Sequence, residues 1–365
     1  MFMAYNGNLP EIIRFGRGVR FQLENSLLSG KTLFICGKHS VSRIKSEWEN
    51  SGIDFEIITV SGELPLDELE NILSFARDLD CRNFVGWGGG SAMDCAKAIA
   101  ALINAPGIAA DYFYNRIQLP GRDNRMILIP TTAGTGAEIT SNSVICDRET
   151  GIKQSLRGAG MTADAALCDP DLLENAPASV IAAAGFDALT QALESFTSLK
   201  ATELTRQISL SAAKALFNTL ESAFDGDSSA LDELARGSML TGIAFASSGL
   251  GAVHGLAHPL GSILNIPHGM CCAILLLPVL KRNCGEFPEL FTQLAHGLGF
   301  ADYDAMFDKI CYLQNKFGIA SNFKTYGLDA GHYDFVLKNC RSGSMKCNPK
   351  NFTDTDVTTL LEELS

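Results

Sequence analysis

The sequence predicts a two-part α/β chain: a parallel sheet wrapped by helices in the N-terminal half and an all-helical C-terminal half. Three observations carry this. Strand-like apolar runs alternate with amphipathic helix-like runs from residue 31 to about 170. The strand pattern stops near residue 178. Two of the strand-like runs end in glycine-rich loops. A length of 365 residues exceeds one ordinary core. The expected division is therefore 1–178 and 179–365, with the proline-bearing "DPDLLENAPAS" as the linker.

In order, "KTLFICG" (31–37) reads as a buried strand and "SVSRIKSEWENSG" (40–52) as a helix. "DFEIITV" (54–60) is a strand and "PLDELENILSFARDLD" (65–80) a helix. "NFVGWGGG" (83–90) is a strand running into glycines, followed by the helix "SAMDCAKAIAALIN" (91–104). "RMILIPTT" (125–132) is a further strand. Helical periodicity then covers 178–198, 202–224, 229–251 and 303–318, and "MCCAILLLPVL" (270–280) reads as a buried helix.

Composition narrows the function classes. A net charge of −12 with no basic block gives no footprint for nucleic acid. No run of eighteen apolar residues predicts a membrane span. The first residues lack the basic start and apolar core of a secretory signal. Eleven cysteines, mostly in apolar runs and with no CxxC pair, fit buried thiols in a reducing cytoplasm. Cys271 and Cys272 fall in this class and read as core packing.

Three motifs bear chemistry. Gly88-Gly89-Gly90-Ser91 joins a strand to a helix; glycines allow close backbone approach, and the helix start offers free N–H groups, which together suit a pyrophosphate. A plain tight turn is the other reading. "ILIPTTAGTGAEIT" repeats the theme with Thr131, Thr132 and Thr135, and two such loops on successive strand ends favour a shared ligand. His254, His258 and His268 lie within fifteen residues, with the first two on one helical face, and suit a metal or a catalytic role. The site would need a carboxylate from elsewhere. Asp187 in "GFDALTQALES" is the natural candidate, with Gln191 one turn along the same face.

These motifs, in this order and spacing ("GGGSAMDCAKAIA", "PTTAGTGAEIT", "GFDALTQALES", "HGLAHPLGSILNIPHGM"), resemble the iron-containing (group III) alcohol dehydrogenases. The resemblance implies the dehydroquinate synthase-like fold, with a dinucleotide-binding domain, a helical metal domain and a cleft between them. It implies reduction of a small aldehyde, or oxidation of an alcohol, with NAD(H) or NADP(H). It places Gly89, Gly90, Ser91, Asp94, Thr131, Thr132 and Thr135 at the cofactor, and Asn142 and Lys153 near the nicotinamide ribose. It places Asp187, Gln191, His254 and His268 at a divalent metal, Fe2+ or Zn2+, with Asp187 thereby also catalytic. His258 falls beside the substrate, where it serves as the expected proton donor.

The chain departs from the family pattern at Gln191, where the family has histidine. One reading keeps the metal, with Gln191 as a weak ligand. The other is a metal-free reductase of a specialised aldehyde in which Gln191 donates its N–H to substrate. A non-catalytic cofactor-binding protein is the remaining alternative. After the first strand, Gly37-Lys38-His39-Ser40 lacks the acid that the family uses to hold the ribose of NAD, so NADP(H) is the expected cofactor. The family also implies a homodimer or larger homo-oligomer.

Overall fold

The computed structural model describes residues 5, 7–23, 28 and 30–365. The chain divides into two units, 8–175 and 176–365, with Tyr5 and Gly7 belonging to the second.

Period-two burial builds the first unit. In chain order its elements are β1 (Ile12–Phe15), β2 (Thr32–Cys36), α1 (Val41–Trp48), β3 (Phe55–Thr59), α2 (Leu66–Asp78), β4 (Asn83–Gly88), α3 (Gly90–Leu102), α4 (Ala109–Phe113), β5 (Arg125–Pro130), β6 (Asn142–Cys146), β7 (Lys153–Arg157) and β8 (Ala165–Cys168). Six strands form a parallel sheet in the order β1-β8-β5-β4-β2-β3. Odd and even residues of the central strands enter different cores. Phe34, Trp87 and Ile129 pack with Ile44 and Trp48 of α1 on one face. Leu33, Phe84 and Leu128 pack with Leu69 of α2 and Ile99 of α3 on the other. Both faces are covered, so β2, β4 and β5 are apolar beyond their polar first residues Thr32, Asn83 and Arg125. Each fully buried Leu, Ile or Phe contributes about 1.5–3 kcal/mol.

The predicted strands at 31–37, 54–60, 83–90 and 125–132 all form. The sequence reading did not anticipate β1, β8 or the antiparallel β6–β7 pair. β8 is "AALC", four residues without a β-branched side chain, and β7 is the largely polar "KQSLR". Neither carries much intrinsic strand signal; pairing with neighbours decides them.

The second unit holds α5 (Ala178–Thr197), α6 (Glu203–Phe224), α7 (Leu231–Ser248), α8 (Ala252–Leu264), α9 (His268–Glu286), α10 (Pro288–Leu298), α11 (Tyr303–Lys316), α12 (Tyr333–Asn339) and α13 (Asp354–Leu364). Local chemistry sets the ends. Thr202 caps α6 by accepting from the Thr205 N–H at 3.2 Å. Asn265 takes a left-handed φ of 53° that ends α8, and Pro267 immediately precedes α9. Among the described residues no single helix is long and apolar enough to cross a membrane.

Candidate active site

In the α/β unit, β2, β4 and β5 lie side by side and parallel, so their carboxyl ends share one edge. From β2 the chain crosses to β3 on one side and returns to β4 on the other. That is a topological switch point, where such sheets bind ligands. Gly37 follows β2, Gly89 precedes α3, and Thr131 follows β5, its N–H donating to the Gly88 carbonyl at 2.9 Å. The two glycine loops abut. A Cβ on Gly90 would sit 2.9 Å from Thr135 Cγ2, which only glycine avoids. Gly89, Gly90, Ser91, Thr131, Thr132 and Thr135 are all half-buried, open to a ligand on one side. Lys38 is exposed just beyond β2.

Three of the expected cofactor residues have protein partners. Asp94 accepts from the Val144 N–H at 3.0 Å, which ties α3 to β6. Asn142 opens β6, and its carbonyl accepts from Lys97 Nζ at 2.8 Å. Lys153 opens β7 and pairs with Glu63. Lys97 is fully buried, 3.7 Å from Asp94. Burial raises the pKa of Asp94 and lowers that of Lys97. The sequence reading missed Lys97; a lysine inside an alanine-rich helix three residues after an aspartate was its signal.

In the helical unit, Asp187, Gln191 and Glu194 occupy one buried face of α5 at i, i+4 and i+7, exposed by 2%, 3% and 2%. Gln191 Nε2 donates to Asp187 Oδ1 at 3.1 Å, so the amide and the acid do meet. The Gln191 Oε1 is buried with no hydrogen-bond partner among the described residues. His254 and His258 stand one turn apart on α8, and His268 is the first residue of α9. Gly269 brings α9 onto α5: a Cβ there would meet the Ala183 carbonyl at 2.1 Å. With α9 that close, His268 Nε2 lies 3.7 Å from Asp187 Oδ1.

His254 bridges two acids. Its Nδ1 is 2.6 Å from Glu194, and its Nε2 is 3.2 Å from Asp187 Oδ1. Glu194 also accepts from the Val253 N–H at 2.7 Å, fixing the start of α8. A proton on Nδ1, held by Glu194, leaves the Nε2 lone pair facing Asp187. Cys272, one turn after His268, puts Sγ 3.6 Å from His268 Nε2 and 3.9 Å from His254 Nε2. One ligand atom from each of Asp187, His254, His268 and Cys272 lies within 4.8 Å of the others. His258 is half-buried beside this group, its ring 5.3 Å from that of His268.

The chemistry of this group calls for a cation. A carboxylate oxygen and two imidazole nitrogens converge, and such acceptors repel unless a proton or a metal ion sits among them. Burial opposes charge on His254. The Cys272 sulfur, the Glu194 carboxylate and the Asp187 hydrogen bond outweigh it and hold the pKa well above the usual imidazole range. A carboxylate, two imidazoles and a thiol whose donor atoms lie within 4.8 Å of one another form a donor set that fits a divalent metal. Core packing, the sequence reading for Cys272, does not account for a sulfur aimed at two histidines. Its i, i+4 spacing from His268 was the available signal. Glu194 was also missed, although it lies seven residues from Asp187 on an apolar helix.

Residues 10–170 match the model described as "Iron-containing alcohol dehydrogenase", and residues 181–365 match "Fe-containing alcohol dehydrogenase family, C-terminal". The chain belongs to the iron-containing alcohol dehydrogenase family. It is an oxidoreductase that acts on CH–OH groups with a nicotinamide cofactor. It is 33% identical to the probable alcohol dehydrogenase EutG of Salmonella typhimurium over 77% of this chain and 72% of that one. It is 29% identical to the NADPH-dependent butanol dehydrogenase of Clostridium saccharobutylicum over 88% and 86% of the two chains. The structure of sulfoacetaldehyde reductase from Bifidobacterium kashiwanohense, in complex with NAD+, superposes with a TM-score of 0.90 at 28% identity and covers 100% of this chain and 99% of that one. The fold class predicted for this dehydrogenase is the one observed.

Proposed function

We propose that this dehydrogenase reduces small aldehydes with NADP(H) in preference to NAD(H), and that Asp187, His254 and His268 hold the divalent metal, with Gln191 beside them. The convergence of these three side chains on α5, α8 and α9 carries the reading. When bound, such an ion supplies Lewis acidity toward a carbonyl oxygen. The nicotinamide supplies the hydride, and the protein's part is to hold and orient it.

The free N–H groups at the start of α3 and the hydroxyls of Ser91, Thr131, Thr132 and Thr135 suit the pyrophosphate and ribose oxygens. Asp94, Asn142 and Lys97 act by fastening the β6–β7 pair to α3. Lys153 is released from Glu63 when it serves the nicotinamide ribose. Lys38, exposed beyond Gly37 with no acid nearby in "GKHS", accepts a 2′-phosphate. His258 gives up the proton that completes the alcohol. Glu194 fixes the tautomer of His254 and is a positioning residue. One Gln191 N–H is already donated to Asp187, which disfavours the metal-free reading in which that amide serves the substrate. We propose further a homo-oligomer in the cytoplasm, consistent with eleven cysteines that form no disulfide among the described residues.

The test is aldehyde-dependent oxidation of NADPH and of NADH across a panel of short aldehydes, before and after chelation, with zinc or ferrous iron added back. A lower Michaelis constant for NADPH and activity restored by metal support the reading. A clear preference for NADH removes the role of Lys38, and activity indifferent to chelation removes the metal.

A further inference from the structure

Gln191 and Cys272 together pose a question the family resemblance does not answer. The chain carries the amide of Gln191 where the resemblance implies an imidazole on α5, and a thiol on α9 faces the same group. We propose that Cys272 is the fourth metal ligand, and that Gln191 stands outside the shell as a hydrogen-bond donor to Asp187. The site is then Asp187, His254, His268 and Cys272, tuned to zinc rather than ferrous iron. This rests on the reading above that the cluster holds a metal.

Three observations support it. First, four of the six ligand–ligand distances match those of a four-ligand shell, which a carbonyl oxygen would join as a fifth ligand. With metal–nitrogen and metal–oxygen bonds of about 2.05 Å and a zinc–sulfur bond of about 2.3 Å, the edges come to about 3.3 Å and about 3.6 Å. The His254–Asp187 and His268–Asp187 edges are 3.2 and 3.7 Å, and the sulfur edges to His268 and His254 are 3.6 and 3.9 Å. Second, Gln191 is committed to the carboxylate. Its N–H is 3.1 Å from the same Asp187 oxygen that faces both histidines. Third, successive residues of a helix lie about 100° apart, so Cys272 and its neighbour Cys271 take different directions, and the approach of the Cys272 sulfur to both histidines is specific to its position.

The chemistry has consequences. As the metal binds, a sulfur–metal bond forms and the thiol proton leaves to solvent; no electron changes hands. Thiolate is a softer donor than imidazole or an amide and favours zinc and cobalt over ferrous iron. Two anionic ligands against a divalent ion leave the site formally neutral, where one carboxylate with three neutral imidazoles would leave a positive charge.

The test uses cobalt(II) as the probe on the chelator-stripped full chain. The expected result is one strong near-ultraviolet sulfur-to-cobalt charge-transfer band, together with the visible bands of low-symmetry cobalt. Cys272→Ser should lose the charge-transfer band, and Cys271→Ser should keep it. X-ray absorption of the unaltered zinc protein supplies a second measurement that needs no variant: one sulfur neighbour at about 2.3 Å. Visible bands without charge transfer, or zinc without a sulfur neighbour, would overturn the role of Cys272 while leaving a metal site in place. No cobalt uptake by the unaltered protein would overturn the metal reading itself, and this inference with it.

Discussion

The two halves of this enzyme build their sites from different materials. At the strand ends of the α/β unit, the groups proposed to meet the cofactor are backbone N–H groups and short hydroxyls beside Gly89 and Gly90. In the helical unit they are long side chains from α5, α8 and α9, buried and pointed at one another. A backbone site tolerates changes of side chain and fails when the backbone cannot approach. A side-chain site tolerates nothing at its centre, yet it can exchange one donor for another if the replacement reaches the same point. The proposed ligation by Cys272 beside Gln191 would be a case of this second kind.

This contrast orders the expected effects of substitution. Asp187→Ala should be the most damaging, because Asp187 touches Gln191, His254 and His268 at once. A fall in kcat/KM of about 10³-fold, or ~4 kcal/mol, is expected, with NADPH affinity kept; a small loss would mean that the cluster is only structural. His258→Gln should lower kcat by about 10²-fold and leave both metal content and cofactor affinity alone. A parallel loss of cofactor affinity would instead mark His258 as structural. Glu194→Gln should weaken metal affinity by about 10–100-fold through the orientation of His254, as read by competition with a chelating dye. An unchanged affinity would show that His254 is held by packing alone.

On the other side of the comparison, Gly90→Ala forces the Thr135 loop away and should raise the NADPH dissociation constant by about tenfold at constant metal content. If metal content fell too, the two sites would not be separable. The smallest effect belongs to Lys38→Glu. An exposed charge is worth little, so the preference for NADPH over NADH should shift by about threefold to fivefold. No shift would show that Lys38 only faces solvent.

What could be read in the sequence follows the same division. The four predicted strands and the glycine loops are contiguous in sequence, and apolar runs, two of them leading into glycine-rich loops, expose them directly. The metal cluster is scattered over α5, α8 and α9, and only i, i+4 spacing links its members. That spacing paired Asp187 with Gln191 and His254 with His258, and the set Asp187, Gln191, His254 and His268 came from the family resemblance. Glu194 and Cys272 escaped because each sits in an apolar helix, where a buried polar group or thiol looks like packing until its partner is known. Lys97 escaped for the same reason. β7 and β8 escaped because their side chains are mostly polar or small, and their strand character comes from neighbours.

The most direct test of the metal centre is calorimetric titration of the chelator-stripped protein with zinc. The account predicts a single tight site per chain, abolished by Asp187→Ala. No uptake, or uptake that survives Asp187→Ala unchanged, would contradict it.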